Sequence, residues 1–140
     1  MLGTAHHYGI NVSDIDESIE FYEGVLGLEL ERRFPISDVQ SAIVGVEGVS
    51  GEIAFLDAGA CKVELIAYDA PANANANESS SNHDVGMTHF CLDVEDLDAI
   101  YADLADEIEF VSPPQRISEA LQVAYAYDPD GNIVAFECTA

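Results

Sequence analysis

A ten-residue segment near the start of the chain is repeated 82 residues later (89 − 7). Residues 7–16 read HYGINVSDID, and residues 89–98 read HFCLDVEDLD. The match continues along an apolar stripe, in which Ile15, Ile19, Tyr22 and Leu26 correspond to Leu97, Tyr101, Leu104 and Ile108. A repeat of this length indicates one supersecondary unit that is built twice. Because 140 residues make about one domain, the two units must share a single fold.

Each repeat begins with the pattern of a half-buried strand. Tyr8, Ile10 and Val12 alternate with residues of the opposite face, and the second copy alternates in the same way. The apolar stripe that follows has helical spacing. Ser13 and Asp16 approximate a capping box at its start, and glycines follow its end.

Further runs after each helix have the composition of strands. After the first helix these runs are Leu28–Phe34, Gln40–Val46, Glu52–Leu56 and Lys62–Tyr68, of which two can form one bent hairpin. After the second helix they are Phe110–Val111, Leu121–Tyr127 and Ile133–Cys138. Between the modules, residues 72–84 read ANANANESSSNHD and have no periodicity. We therefore predict a first module at 1–70, a flexible linker at 71–85 that holds a solvated His83, and a second module at 86–140.

The charge of the chain excludes one class of partner. With 27 acidic and 4 basic residues, its formal net charge is −23. Four basic residues cannot neutralise several phosphates, so nucleic-acid binding is excluded. The acids are spread along the chain, so the sequence is similar to that of a halophilic cytoplasmic protein. At 1 M salt the screening length is about 3 Å, which removes the repulsion between such charges.

The sequence also predicts a cytoplasmic location without membrane association. No window contains 18 consecutive apolar residues, and no basic-then-apolar segment lies at the start. The three cysteines, Cys61, Cys91 and Cys138, are odd in number and lack CxxC spacing, which predicts free thiols.

Three side chains are candidates for metal binding. His7 and His89 hold equivalent places on the faces opposite the apolar ones, and symmetric packing would bring them together. Glu64 lies between Val63 and Leu65, so it also points away from the apolar face. Two imidazoles and one carboxylate suit zinc, nickel, cobalt, iron or manganese, and three protein ligands leave a position open for substrate. The alternative is a binding cleft without metal.

At these residues the chain resembles the vicinal oxygen chelate superfamily, which contains glyoxalase I, methylmalonyl-CoA epimerase, extradiol dioxygenases, and fosfomycin and bleomycin resistance proteins. The resemblance is carried by HHYGINVSDIDESIEFYEGVLGLEL at 6–30, VELI at 63–66, GMTHFCLDVEDLD at 86–98 and DPDGNIV at 128–134. It implies an α+β fold in which two paired βαβββ modules form a curved mixed sheet around a cleft. It also implies a homodimer that binds a small molecule.

By position, the resemblance implies metal ligands at His7, Glu64 and His89. The family's fourth ligand is commonly a glutamate, and its position here is Ala135, which cannot bind metal. Glu137 has the same strand parity but lies about 7 Å further along, so a bulge or a water would be needed to fill the place.

Two functions follow as expectations. The first is a metal-dependent lyase or isomerase of the glyoxalase or epimerase type, which acts on a small α-oxygenated carbonyl compound or its thiol adduct with Glu64 as the base. The second is a metal-free protein of the bleomycin-resistance type that sequesters a small molecule, with Tyr68, Tyr125 and Tyr127 as candidate contacts. An extradiol dioxygenase is disfavoured, because it requires the carboxylate that Ala135 replaces.

Overall fold

The structure is a computed structural model that describes residues 1–139, and it divides into two compact units. The first is Met1–Asn75 and the second begins at Ala76. Each unit contains one four-stranded mixed sheet. Among the described residues, no helix has both the length and the apolar character needed to cross a membrane.

The first unit has the element order β1, α1, β2, α2, β3, β4. Its elements are β1 His7–Val12, α1 Ile15–Ile19, β2 Glu29–Pro35, α2 Gln40–Val44, β3 Ser50–Asp57 and β4 Lys62–Ala70, and a π-helical segment, Glu20–Val25, extends α1. The sheet order is β1-β4-β3-β2. Strand β1 runs parallel to β4, and the other neighbours are antiparallel.

The second unit repeats this plan. Its elements are a 3₁₀ helix Ala76–Ser79, β5 His89–Asp93, α3 Leu97–Leu104, β6 Gln115–Ser118, β7 Leu121–Tyr127 and β8 Ile133–Thr139. The sheet order is β5-β8-β7-β6, and β5 is parallel to β8. The predicted α+β class, with a βαβββ plan in each module, is confirmed.

Equivalent aspartates cap the two repeat helices. The side chain of Asp14 accepts hydrogen bonds from the backbone N–H groups of Asp16 and Glu17, and Asp96 accepts from that of Ala99. These caps satisfy donors that the first helical turn leaves unpaired. The sequence had pointed to Ser13, so the predicted start was one residue early.

The core of each unit lies between the sheet and its repeat helix. In the first unit Leu56, Val63 and Leu65 are fully buried, and α1 packs on β3 and β4. In the second unit Leu97 of α3 and Val134 of β8 are fully buried. Complete burial of each such side chain contributes roughly 1.5–3 kcal/mol.

Two predicted strands were wrong. Residues 40–46 contain a short helix, α2, which ends at Gly45 with φ at 71°. The β-branched Ile43 and Val44 favoured a strand, but both are exposed and no neighbouring strand pairs with them. Phe110 makes only an isolated bridge to Ala126, and the fourth strand of the second sheet is β6 instead.

Part of the predicted linker has a defined place. The side-chain amide of Asn77 donates to the backbone oxygen of Asp130 and to Oδ1 of Asn132, at 3.2 and 2.9 Å. These bonds attach the 3₁₀ helix to the turn that connects β7 and β8. The composition of the segment gave no sign of this attachment.

One arginine connects α1 with two strands of the first sheet. Arg33 of β2 donates from Nη1 to Oδ1 of Asp16 at 2.9 Å and from Nη2 to Oε1 of Glu52 at 2.9 Å, and its Nε also contacts Glu52. The hydrogen bonds from Arg33 lower the pKa of Glu52 below its ordinary value of 4.5. This ion pair therefore stabilises the fold where Glu52 is ionised.

The contribution of Glu52 to stability depends on pH with a defined sign. Because its pKa is lower in the folded chain, the contribution is complete above the ordinary value and is lost as pH falls through the folded value. We expect Glu52→Gln to reduce the free energy of unfolding at neutral pH, and the difference from wild type to shrink between about pH 5 and pH 3. Urea unfolding at constant salt measures this difference. Glu29→Gln, which removes an exposed carboxylate from the same sheet, serves as the control. A difference that stays constant over this range would contradict the assignment.

Candidate functional site

A row of side chains crosses all four strands of the first sheet. Gly9 of β1 lies opposite Glu64 of β4, Glu64 lies opposite Phe55 of β3, and Phe55 lies opposite Arg32 of β2. Cross-strand neighbours share one face of a sheet. His7 precedes Gly9 by two residues, so it belongs to the same face. This is the face opposite the one that holds Val63 and Leu65, as the sequence predicted.

His7 and Glu64 form a close pair on this face. Nε2 of His7 lies 3.6 Å from Oε1 of Glu64. The side chain of Glu64 is only 16% exposed, whereas that of His7 is 38% exposed. The pair is therefore partly shielded from water but still reachable from solvent.

Glycine at position 9 leaves the region beside the Glu64 carboxylate open. A Cβ atom built on Gly9 would lie 3.4 Å from Oε1 of Glu64, at the tight end of van der Waals contact. A larger side chain would project into the region beside the pair. The absence of a side chain at this residue is thus part of the geometry of the site.

The ring of His7 is held by two neighbours. Nδ1 of His7 lies 2.7 Å from Nδ1 of His6, so one of these two nitrogens donates to the other. Phe55 packs edge-on against the His7 ring, with centroids 5.4 Å apart and planes at 88°. With Nδ1 engaged by His6, Nε2 is the nitrogen that is directed toward Glu64.

An apolar patch continues the same face beyond the pair. Its buried members are Ile53, Phe55 and Ile66, and Phe34, Ile36 and Tyr68 pack against them. Tyr68 is half-buried, and it follows Glu64 by four residues on the same side of β4. The face thus combines a polar end, at His7 and Glu64, with an apolar bed.

The second sheet has the same register with different chemistry. Cys91 lies opposite Ala135, and Ala135 lies opposite Tyr125. These positions correspond to Gly9, Glu64 and Phe55 of the first sheet, so the shift of 71 residues (135 − 64) deduced from the sequence matches the strand pairing. At the place of the carboxylate, the second sheet carries a methyl group.

Tyr125 is the polar neighbour of His89. Its hydroxyl lies 3.4 Å from each ring nitrogen of His89, and the two rings are 4.9 Å apart at 41°. Glu137 does not take the register position of Ala135, because β8 pairs with both β5 and β7 without a register shift and Glu137 stays opposite Asp93. Nor is Cys91 an ionised donor at neutral pH, since partial burial, followed by the charges of Glu137 and Asp93, raises the pKa of its thiol.

The distance between His7 and Glu64 suits two ligands of one ion. Donors about 2.1 Å from a tetrahedral ion lie about 3.4 Å apart, close to the observed separation. His89 belongs to the second unit, and within residues 1–139 no three His, Cys, Asp or Glu side chains are grouped as metal ligands. The first unit therefore contributes two donors that fit a divalent ion. The three cysteines, as predicted, are free.

Sequence reasoning missed two residues of this face, His6 and Arg32, and it placed Gly9 on the face without giving it a role. The His6-His7 doublet was visible in the sequence, but an exposed residue before a strand gives no sign that its ring reaches the next one. Arg32 was hidden by an irregularity of β2 that shifts the strand's alternation.

Comparisons with known proteins show the family of this chain. The family model for the Glyoxalase/Bleomycin resistance protein/Dioxygenase superfamily matches residues 4–136. The chain belongs to this superfamily. A relative from Bacillus subtilis (strain 168), the uncharacterized protein YraH, is 31% identical over 127 residues, which are 88% of each chain.

A second relative carries a named activity. The human mitochondrial methylmalonyl-CoA epimerase is 28% identical over 103 residues, which are 74% of this chain and 53% of that protein. The chain thus spans about half the length of that epimerase. Among solved structures, a glyoxalase family protein from Bacillus cereus superposes with a TM-score of 0.88 at 21% identity, over 99% of this chain and 95% of that one. At this identity the superposition shows the shared fold.

Proposed function

We propose that this superfamily member is a metal-dependent enzyme of the glyoxalase or epimerase type. Its substrate is a small α-oxygenated carbonyl compound or the thiol adduct of one. His7, Glu64 and His89 hold one divalent ion, chosen from zinc, nickel, cobalt, iron and manganese. His89 comes from the second module, either of the same chain or of the partner copy in a cytoplasmic homodimer.

The observation that carries this proposal is the pairing of His7 Nε2 with Glu64 Oε1 at 3.6 Å. A glutamate in a strand ordinarily extends into water. The side chain of Glu64 is instead largely covered, lies beside the His7 imidazole, and has Gly9 as its partner on β1. An imidazole and a carboxylate are two of the donors that catalytic zinc sites use.

Glu64 is well suited to move a proton. A carboxylate has two oxygens, so one can face His7 while the other faces a substrate. When bound, the ion would polarise the carbonyl oxygen of the substrate and thereby acidify the adjacent C–H. Glu64 would take the proton from that carbon and return it to the former carbonyl carbon, while the hydroxyl proton passes to the former carbonyl oxygen. His6 and Phe55 hold the His7 ring so that Glu64 keeps its orientation.

The chemistry of the second sheet favours proton transfer on one face of the substrate. Epimerisation by two bases requires an acid–base group on the opposite face, and Ala135 supplies none. An isomerisation that removes and returns the proton on one side needs Glu64 alone. We therefore place the glyoxalase type before the epimerase type, and both before an extradiol dioxygenase.

Metal-free sequestration is the second candidate. The apolar patch around Ile53 and Ile66, on the same face as Glu64, is the observation that favours it. An apolar patch of this kind suits an apolar ligand that is bound without being converted.

Metal content and turnover together test the enzyme. We expect protein purified in high salt without a histidine tag to bind close to one equivalent of zinc or nickel. With that ion it should convert the hemithioacetal of methylglyoxal. His7→Ala should abolish metal binding, and Glu64→Gln should lower kcat by about 10²–10⁴-fold, the usual effect of losing a general base. Elemental analysis and initial rates measure the two quantities.

Glu29→Gln is the matched control, because it removes an exposed carboxylate from the same sheet and should change neither quantity. Protein that takes up no metal after addition of zinc or nickel would contradict the enzyme proposal. If such protein still bound apolar ligands, the sequestration function would replace it.

Substitution of Gly9 distinguishes effects on metal binding from effects on the stability of the fold, and the first variant is Gly9→Ala. An alanine fits the extended backbone and is about 0.5–1 kcal/mol more favourable than glycine within a strand, so we expect the free energy of unfolding to stay constant or rise. The methyl group of this alanine would lie 3.4 Å from Oε1 of Glu64, in ordinary van der Waals contact, so metal affinity and turnover should stay close to wild type. Gly9→Leu should lower both, because its larger side chain projects into the region beside the pair. Urea unfolding and metal titration of both variants give these results, and an unchanged metal affinity in Gly9→Leu would show that the Gly9 space has no part in the site.

A further inference from the structure

Arg32 differs from the other basic residues of the chain. The chain has four such residues. Arg33 pairs with Asp16 and Glu52, Lys62 pairs with Glu31, and Arg116 contacts the backbone oxygen of Glu119. Within residues 1–139, Arg32 has no carboxylate partner, although the chain contains 27 acidic residues.

Two aromatic rings hold the Arg32 guanidinium. Its Cζ lies 4.7 Å from the centroid of Phe55 and 5.2 Å from that of Phe34. The two rings are nearly parallel, at 18°. Contacts of this kind orient the planar guanidinium and leave its N–H donors available. Arg32 itself is exposed.

A bulge in β2 places this charge on the face of the site. Leu30 lies opposite Leu56, and the next residue in register is Arg32 opposite Phe55, so Glu31 is skipped. Without the bulge, Glu31 would lie opposite Phe55 on the same face as Glu64. Bulges re-aim side chains in this manner and are frequent beside active sites. Here the bulge brings Arg32 opposite Phe55, while Glu31 pairs with Lys62 of β4.

The position suits one chemical class of ligand. Arg32 and Glu64 both flank Phe55, and two strand spacings place their backbones about 10 Å apart. The Arg32 donors match a carboxylate, which a guanidinium binds with two parallel hydrogen bonds. A ligand that reaches both residues carries its carboxylate several bonds away from the carbon next to Glu64.

We propose that Arg32 is a specificity-determining residue that binds the remote carboxylate of the substrate. The substrate class becomes an α-oxygenated carbonyl joined, for example through a thiol, to a short carboxylate-bearing chain. The reaction assigned to this substrate rests on the proposed function. Carboxylate binding at Arg32 does not, because it is measurable without turnover.

The test uses two probes that differ in one group. They are the S-lactoyl thioesters of 3-mercaptopropionate and of 3-mercaptopropionamide, the second of which has a neutral amide in place of the carboxylate. Calorimetry measures the Kd of each probe. We expect wild-type protein to bind the carboxylate probe about tenfold more tightly than the amide, as a charge-assisted hydrogen bond allows.

Three variants test whether Arg32 is the source of the preference for the carboxylate probe. Arg32→Gln should remove it, and Arg32→Lys should retain part of it, because a lysine keeps the charge without the planar fork. Arg116→Gln lowers the net charge by the same unit and should leave the preference intact. Failure of wild-type protein to bind either probe, equal binding of the two probes, or an equal loss in Arg32→Gln and Arg116→Gln would each overturn the proposal.

Turnover of the corresponding methylglyoxal hemithioacetals is measured in parallel. If neither adduct is converted while the carboxylate preference depends on Arg32, the enzymatic function fails and the Arg32 assignment stands. If both adducts are converted with equal kcat/KM and bind equally, the enzymatic function stands and the Arg32 assignment fails.

Discussion

The parallel pairing of β1 with β4 is the interaction on which the candidate site depends. It places Gly9 opposite Glu64 and brings His7 to the same face. A slip of one residue would turn Glu64 toward α1 and expose Val63 and Leu65, which are fully buried. The hydrophobic core on the helix side therefore fixes the register, and the register fixes the polar pair on the other side.

The repeat in the sequence predicted more of the structure than local propensities did. Parity along β1 and β4 was enough to place His7 and Glu64 on one face, because side chains of a strand alternate strictly. Local propensity was misleading at Ile43 and Val44. Their branched side chains favour a strand, but no neighbouring strand pairs with them and they lie in α2. The β2 bulge was invisible because Glu31 and Arg32 are both polar, and a register shift between them leaves the hydrophobic pattern unchanged.

The two sheets show how one backbone plan carries different chemistry. Equivalent registers place Gly9, Glu64 and Phe55 in one module and Cys91, Ala135 and Tyr125 in the other. The first module thus holds the carboxylate, and the second holds a phenol beside its histidine. Internal symmetry predicted where these side chains lie, but the residue at each place decides what the module can do. On the first sheet, Arg32 lies over Phe34 and Phe55 and has no carboxylate partner within residues 1–139, although the net charge of the chain is −23.

We propose that His7, Glu64 and His89 hold one divalent ion. Anomalous diffraction from crystals of the protein loaded with a single equivalent of zinc tests it most directly, since one equivalent limits occupation of surface carboxylates. We expect one strong peak within about 2.3 Å of Nε2 of His7, of a Glu64 oxygen and of a ring nitrogen of His89. A zinc peak bound by other residues, with His7 and Glu64 free of the ion, would contradict it.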